Sequence, residues 1–294
     1  MRGGFAAILL AAALPATTQE VAVFASRTDV VYVDVFVTRA GLPVRGLTAE
    51  SFEVRDDGAR RDVLLLALEK VPLEARLVFD VSASVEGERL EHLRSAGRSF
   101  LTGLGAGDRV GLVTFSEEVR IPLAPTDDPA ALAAALDGLR AKGMTALYDG
   151  LYAALHLDAG PGRRMIVVFS DGADTISWLG QKQIAQVAEE SNVLVEAVAV
   201  RPGSSGSGAE RGPEPSPLDS LGRIAERTGG RLWLASSSED LESAFGRIVE
   251  AMKSRYVLRL EPRGGLRPGR HRLEVRLKGP AAEVRHRPTY FVPR

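Results

Sequence analysis

The sequence predicts an α/β fold: a doubly wound, mostly parallel sheet carrying small β-rich segments on either side. Three observations predict it. Between residues 74 and 253, short uniformly apolar runs alternate with stretches of helical period, which is how strands buried on both faces between crossover helices read. On both sides of that region the period shortens to two, the mark of strands with one buried face. Finally, 294 residues with 45% hydrophobic and 26% charged side chains describe a folded chain with room for one large domain and a smaller one.

At the N-terminus, Arg2 precedes an apolar run from Phe5 to Leu14, followed by small and then polar residues. That is the shape of a secretory signal peptide over residues 1–18, with cleavage between Ala13 and Thr18. The run is shorter than the ~20 apolar residues of a permanent span. The expected location is outside the cytoplasm, periplasmic or secreted, with no transmembrane anchor.

Residues 27–73 read as the first β-rich segment. Asp29 to Thr38 places Val31, Val33, Val35 and Val37 on one face, and Asp56-Asp57-Gly58 is a hairpin signal between Phe52–Arg55 and the apolar run Val63–Leu68.

The domain then predicted over residues 74–253 opens with a buried strand, Arg76–Asp80. A helix follows with Leu90, Leu93, Gly97, Phe100, Leu101 and Leu104 at helical offsets, stopped by the Gly103–Gly107 stretch. Arg109–Phe115 and Val119–Leu123 are the next strands, and two Ala/Leu-rich helices cover about 128–140 and 146–158. The strand Arg164–Phe169, a helix near 180–190 and the Val-rich strand Val193–Val200 continue the alternation. Residues 202–217 (PGSSGSGAERGPEPSP) have the composition of a flexible surface insertion. The helix Leu218–Thr228, the strand Arg231–Ala235 and a last helix at about 239–252 complete the domain.

Residues 254–294 form the second β-rich segment, with three expected strands: Tyr256–Leu260, Arg270–Lys278 and Thr289–Val292. Each flank has about 40 residues, marginal for an independent core. The two flanks are therefore expected to pack on each other, leaving the α/β domain inserted between them. Residues 253–294 hold twelve Lys and Arg against three Asp and Glu, while the remainder of the chain is acidic. Such a basic face is either solvated or docked against the acidic remainder; the alternative is contact with anionic envelope components.

Composition also excludes several functions. A net charge of -1 argues against a chain built to coat nucleic acid. The absence of cysteine removes disulfides, zinc-thiolate sites, iron-sulfur clusters and thiol nucleophiles together.

Open α/β sheets bind ligands beyond the carboxyl ends of their strands. There the sequence places Asp80-Val81-Ser82-Ala83-Ser84, the loop Gly143-Met144-Thr145, and Ser170-Asp171-Gly172. Asp80, Ser82, Ser84, Thr145 and Asp171 are thus the candidate metal ligands. All are oxygen donors, which suits Mg²⁺, with Mn²⁺ or Ca²⁺ as alternatives, and disfavours zinc or copper. Two carboxylates and three neutral hydroxyls leave such an ion electrophilic toward an outside carboxylate, so an acidic side chain of a protein partner is the expected further ligand. A structural reading also exists: Asp80 and Asp171 as turn carboxylates, Ser82 or Ser84 as helix caps. Asp149 and Asp174 read as structural or outer-shell groups.

At these residues the sequence resembles the von Willebrand factor type A domain and its metal-ion-dependent adhesion site. Asp80, Ser82 and Ser84 match the DxSxS element, Thr145 the second-loop threonine and Asp171 the third-loop aspartate. The resemblance extends to Gly107–Ser116 and the last helix, and so over most of residues 74–253. It departs at Ala83 and Val85, where the family commonly has glycine and methionine. The whole layout resembles a bacterial subgroup described as von Willebrand A-related proteins of Acidobacteria, in which a signal peptide and β-rich segment precede the domain and a β-rich tail follows. The resemblance implies ligand binding without catalysis. It also implies a last helix able to shift as the site closes; since that helix runs directly into the basic tail, partner binding is expected to be felt by the β flank.

The rival reading is a metal-dependent hydrolase or phosphotransferase using Asp80 as nucleophile. Such sites usually place a second carboxylate two residues on, where this chain has Ser82. A serine hydrolase lacks its G-x-S-x-G elbow, and His92, His156, His271 and His286 lie on helices or in the basic tail with no H-E-x-x-H spacing and read as surface or packing residues.

Overall fold

The computed structural model describes residues 31–66, 71–157, 162–170, 174–200, 217–235, 237, 240–260 and 267–292. The expected signal peptide, Asp171 and nearly all of the 202–217 insertion lie outside the described residues.

The chain begins with β1 (Val31–Arg39), β2 (Leu42–Pro43), β3 (Phe52–Asp56), β4 (Ala59–Arg61) and β5 (Val63–Leu66). Asp57 and Gly58 join β3 to β4 with φ of 49° and 83°. A two-residue turn with both φ values positive matches the twist of a hairpin, and Asp-Gly is the sequence that tolerates it.

The α/β domain follows as β6 (Leu73–Asp80), α1 (Glu88–Leu101), β7 (Arg109–Phe115), β8 (Val119–Thr126), α2 (Pro129–Asp137), α3 (Leu147–His156), β9 (Arg163–Phe169), α4 (Gln181–Glu190), β10 (Leu194–Val200), α5 (Pro217–Thr228), β11 (Leu232–Ala235) and α6 (Leu241–Lys253). Its sheet has the order β11-β10-β9-β6-β7-β8, parallel throughout except for β8, which pairs antiparallel with β7. Side-chain alternation along β6 divides the interior in two. Leu77 and Phe79 enter one core with residues of α1, α2 and α6, while Val78 enters the other with residues of α3, α4 and α5. Phe79 meets Phe245 of α6 edge to face at 5.9 Å, a favoured aromatic geometry. α2 starts at an Asp128 cap, whose Oδ1 accepts from Ala130 N at 2.9 Å, with Pro129 in the first turn where no N–H is needed.

Two expectations need correction here. The first strand begins at Leu73, so the domain boundary falls inside β6 if drawn at 74. β8 is not uniformly apolar: Arg120 and Ile121 face solvent, because β8 is an edge strand.

The C-terminal segment adds β12 (Tyr256–Leu260), β13 (Gly269–Leu277), β14 (Glu283–Arg285) and β15 (Thr289–Val292). Its described residues therefore hold four strands, one more than the three expected. β14 escaped periodicity because its residues, Glu-Val-Arg, are exposed or half-buried at the edge beside β1. The two flanks interleave. β1 pairs with β12 and β14, β12 with β5, and β3 with β13, giving a sheet β14-β1-β12-β5, with β2 attached to β1, and a sheet β15-β13-β3-β4. Between them lies one core containing Val33, Val35, Val37, Phe52, Val54, Leu258, Leu273 and Tyr290. The flanks thus make one β module, and the α/β domain is inserted within it.

Polar contacts bind module to domain. Arg163 at the start of β9 meets Asp34 of β1 at 2.5 Å, and Asn192 exchanges two hydrogen bonds with the Phe291 backbone at 2.6 and 3.0 Å. Directly after α6, Arg255 pairs with Glu196 of β10 at 2.5 Å, both side chains 2% exposed. Arg270 reaches Glu189 at 3.0 Å, and the buried Arg287 guanidinium donates to the Glu189 carbonyl. Part of the basic tail is thereby docked against the domain, while Arg272 and Arg276 remain exposed.

Candidate functional site

Parallel pairing decides what gathers at the carboxyl edge of the sheet. β6 is central, and its register sets Asp80 opposite Phe115, the last residue of β7, and one residue past its last pair with β9, Phe79↔Phe169. Asp80 is fully buried. Its Oδ1 accepts from Ser82 N at 2.9 Å and its Oδ2 from the Ser170 hydroxyl at 3.2 Å. The first bond folds the chain back after the strand, and Ser82 and Ser84 end with their Oγ atoms 2.9 Å apart. Ser82 is 1% exposed, whereas Ser84 is open to solvent. Residues 83–85 form a single 3₁₀ turn, and Val85, in the family's usual methionine position, is fully buried in the core shared with α1.

The second loop is fastened to the first by its backbone. Ala83 N donates to Gly143 O and Lys142 N to Val81 O, each at 2.9 Å, and Ala146 N donates to Ser116 O at 3.0 Å. Gly143 turns there at φ 78°, and a β-carbon would meet the Glu117 side chain at 2.8 Å. Thr145, buried at 4% exposure, is held between these anchors. On its other side Thr145 O accepts from Thr175 N and Ile176 N, and Thr145 N donates to Thr175 Oγ1.

The structure therefore brings Asp80, Ser82 and Ser84 into one hydrogen-bonded set and fastens the Thr145 loop beside it. Asp171 is outside the described residues, between Ser170, which touches Asp80, and Asp174. A set of oxygen donors, two of them hydroxyls within a hydrogen-bond length of each other and one open to solvent, suits a hard divalent cation.

Asp174 and Asp149 hold loops. Asp174 Oδ1 accepts from Leu147 N at 2.8 Å and from the Ser177 hydroxyl at 2.6 Å, capping the start of α3. Asp149 accepts from Trp178 N and Leu179 N at 3.0 and 3.1 Å, fixing the segment that follows. This fixes the backbone at Trp178, whose side chain is 97% exposed; Met144, beside Thr145 in sequence, is 48% exposed.

Sequence reasoning passed over Ser170 as a partner of Asp80. The signal was available, since a polar residue ends an otherwise apolar strand. It also passed over Trp178, for which no periodicity exists in a loop. His271, read as a surface or packing residue, is packed at 5% exposure and lies with Asp56 and Asp57 in the β module, the three side-chain atoms all within 4.8 Å of one another.

Residues 76–173 match the von Willebrand factor type A domain family. A UPF0353 protein of Nocardia farcinica is 28% identical over 221 residues, covering 63% of this chain; the match spans 65% of that protein's length. Among solved structures, the von Willebrand factor type A protein of Catenulispora acidiphila superposes with TM-score 0.53 at 14% identity, covering 88% of this chain and 73% of that one. Proximal thread matrix protein 1 of the mussel byssus, solved with a zinc-occupied metal-ion-dependent adhesion site, gives TM-score 0.53 at 18% identity over 68% of this chain and 50% of its own. At such identities the structural likeness speaks for the fold.

Proposed function

We propose that the von Willebrand factor type A domain this chain carries binds a partner protein through a divalent cation held by Asp80, Ser82, Ser84, Thr145 and Asp171. The observation that carries this reading is the Asp80–Ser82–Ser84 set, with its two hydroxyls 2.9 Å apart and Ser84 facing solvent. Bound there, a cation supplies Lewis acidity toward an incoming oxygen ligand. The chain's own residues supply the rest. Asp80 fixes the loop through Ser82 N, the Thr145 loop is fastened alongside, and neutral hydroxyls leave the ion's charge incompletely cancelled.

The partner's contribution is an acidic side chain, and Mg²⁺ is the proposed ion, with Mn²⁺ or Ca²⁺ as substitutes. Trp178 and Met144 on the rim give that partner an apolar surface beside the charged contact. No catalysis is assigned to the domain. Asp80 makes a poor nucleophile, being fully buried with both oxygens accepting hydrogen bonds. Arg2 and the apolar run that follows support the reading of an exported protein, periplasmic or secreted. Among the described residues no helix is long and apolar enough to cross a membrane.

α6 gives the site a route to the module. It ends at Lys253, and β12 begins at Tyr256, with only Ser254 and the buried Arg255 between them. Movement of α6 on partner binding would be transmitted to the β module through this short joint.

Calorimetric titration of Mg²⁺ and Mn²⁺ into the protein tests the site, beside folded Asp171→Ala and Ser84→Ala variants. Saturable binding that Asp171→Ala abolishes and Ser84→Ala weakens is the expected result. Equal binding by all three proteins would overturn the assignment. Trp178→Ala should leave cation affinity unchanged and weaken capture of an immobilised acidic peptide.

A further inference from the structure

We propose that the β module holds a second metal centre, a zinc-type divalent ion bound by His271 Nδ1, Asp56 and Asp57. It is independent of the type A domain's own site and of the function proposed for it. Its residues come from the hairpin end of β3 and the start of β13, joined only by the pairing of those strands.

His271 Nε2 lies 2.7 Å from the Arg267 carbonyl oxygen, which can only accept, so Nε2 carries a proton. Nδ1 faces Asp56 Oδ1 at 2.9 Å and Asp57 Oδ2 at 3.1 Å. A neutral ring would aim its lone pair at two anionic oxygens, an arrangement that repels unless something electropositive lies between the three atoms. A proton on Nδ1 is one solution, and a metal ion is the other.

Three features favour the metal. The spacings of 2.9 and 3.1 Å match the cis ligand-to-ligand edges of about 3.0 Å around a five- or six-coordinate ion with bonds of about 2.1 Å, tighter than the edge of about 3.4 Å of a tetrahedral one. The outer contacts are those that orient ligands. The far ring nitrogen donates to a carbonyl, Asp56 Oδ2 is held by Arg61 at 2.8 Å, and Asp57 Oδ1 by Arg272 N at 2.8 Å, so each carboxylate has one oxygen left for the centre. Finally, Tyr290 stacks on the imidazole with centroids 4.9 Å apart and rings 13° from parallel, and its hydroxyl is buried without a hydrogen-bond partner. A buried polar atom left in that state beside two carboxylates and an imidazole marks where an ion would complete the group.

Imidazole with carboxylates suits zinc better than magnesium. Asp57 is 48% exposed, which gives the ion an access route from solvent. The site crosses from one flank to the other, so its occupation would tie β3 to β13 at the hairpin end of their pairing.

The test uses the full chain carrying Asp171→Ala, so that the domain's own site does not compete. After chelator treatment, Zn²⁺ and Mg²⁺ are titrated by calorimetry, and X-ray absorption is recorded on the zinc-loaded protein. The expected result is one saturable Zn²⁺ site with a nitrogen donor among oxygens, no Mg²⁺ binding there, and a raised melting temperature with zinc. His271→Gln should abolish the site. Asp57→Asn, at a half-exposed turn position, should weaken it by more than the roughly 10–100-fold typical of losing an outer-shell partner. Absence of a zinc site, affinity unchanged by Asp57→Asn, or an absorption edge with sulfur-free, nitrogen-free ligation would overturn the proposal. So would NMR showing His271 Nδ1 still protonated at neutral pH under saturating zinc.

Discussion

The α/β domain and the β module contrast in how far apart in sequence their contacting residues lie. In the domain, the site loops follow directly on strands whose order is set by short crossovers, and Asp80, Ser82 and Ser84 are neighbours in sequence. In the module, Asp56 meets His271 across 215 residues, and every strand of one flank that pairs with the other reaches across the whole inserted domain. The domain can therefore assemble from local units, whereas the module closes only when the chain's two ends meet. Loop closure of that length is slow and entropically costly, though the cost grows only logarithmically with length. The expected consequence is that the domain supports the module, and the seam between them is where the two can be separated.

The largest expected effect comes from breaking that seam. Arg255 and Glu196 are each 2% exposed, and removing one partner of such a pair leaves a buried charge at a cost of about 3–5 kcal/mol. Arg255→Met should fall toward the lower end, because Glu196 Oε2 keeps its bonds from Trp233 Nε1 at 2.8 Å and Arg231 N at 3.2 Å. Urea unfolding followed by tryptophan fluorescence and by far-UV circular dichroism checks it. If the seam couples the regions, the wild type unfolds in one transition and the variant in two, with the module first. One shared transition in both proteins would mean that Asp34–Arg163 and the Asn192–Phe291 bonds suffice to join them.

The same contrast explains what the sequence disclosed. Strands such as Arg163–Phe169 and Leu194–Val200 were visible because burial on both faces leaves only apolar residues, and their helices showed one apolar face each. Asp80, Ser82, Ser84 and Thr145 were visible because ligand loops in this class of sheet lie at known ends of strands. β14 was invisible, since a three-residue edge strand with charged side chains has no period to read. The Asp56–Asp57–His271 group was equally hidden. Asp-Asp-Gly read correctly as a hairpin turn, but nothing local connects it to a histidine in the tail; only the register Leu273↔Asp56 does so. Ser170 lies between these cases, because its contact with Asp80 follows from the register of β6 and β9 once their adjacency is known.

A smaller effect is expected from the fastening of the site loops. Asp174→Ala removes the acceptor for Leu147 N and for the Ser177 hydroxyl, and loss of a cap of this kind costs about 0.5–2 kcal/mol. If loop positioning governs the site, cation affinity should fall in this variant although Asp174 is not a proposed ligand. Calorimetry with Mn²⁺ against thermal unfolding separates the two readouts. A loss of stability with unchanged affinity would mean that the Thr145 loop is held sufficiently by Ala83–Gly143, Lys142–Val81 and Ala146–Ser116.

The smallest effect belongs to the module alone and is a matter of protons. His286 Nε2 lies 3.2 Å from Val275 N, which only donates, so this nitrogen must be the unprotonated acceptor, while Nδ1 donates to Arg287 O at 2.7 Å. The folded state therefore requires the neutral ring. Burial pushes its pKa below the ordinary value, opposed by the Arg287 carbonyl and the charge of Glu274. Above about pH 6.5 both folded and unfolded chains hold a neutral ring, and the residue adds no pH dependence. As pH falls below that value the unfolded chain takes up the proton first, so stability declines, by at most about 1.4 kcal/mol per pH unit for one site. His286→Gln keeps an acceptor and a donor but cannot titrate. Unfolding midpoints measured at pH 7.5 and 5.5 should therefore differ less in the variant than in the wild type. An identical pH dependence in both proteins would show that the ring is already free to protonate in the fold, and that the bond to Val275 contributes nothing to the pairing of the tail.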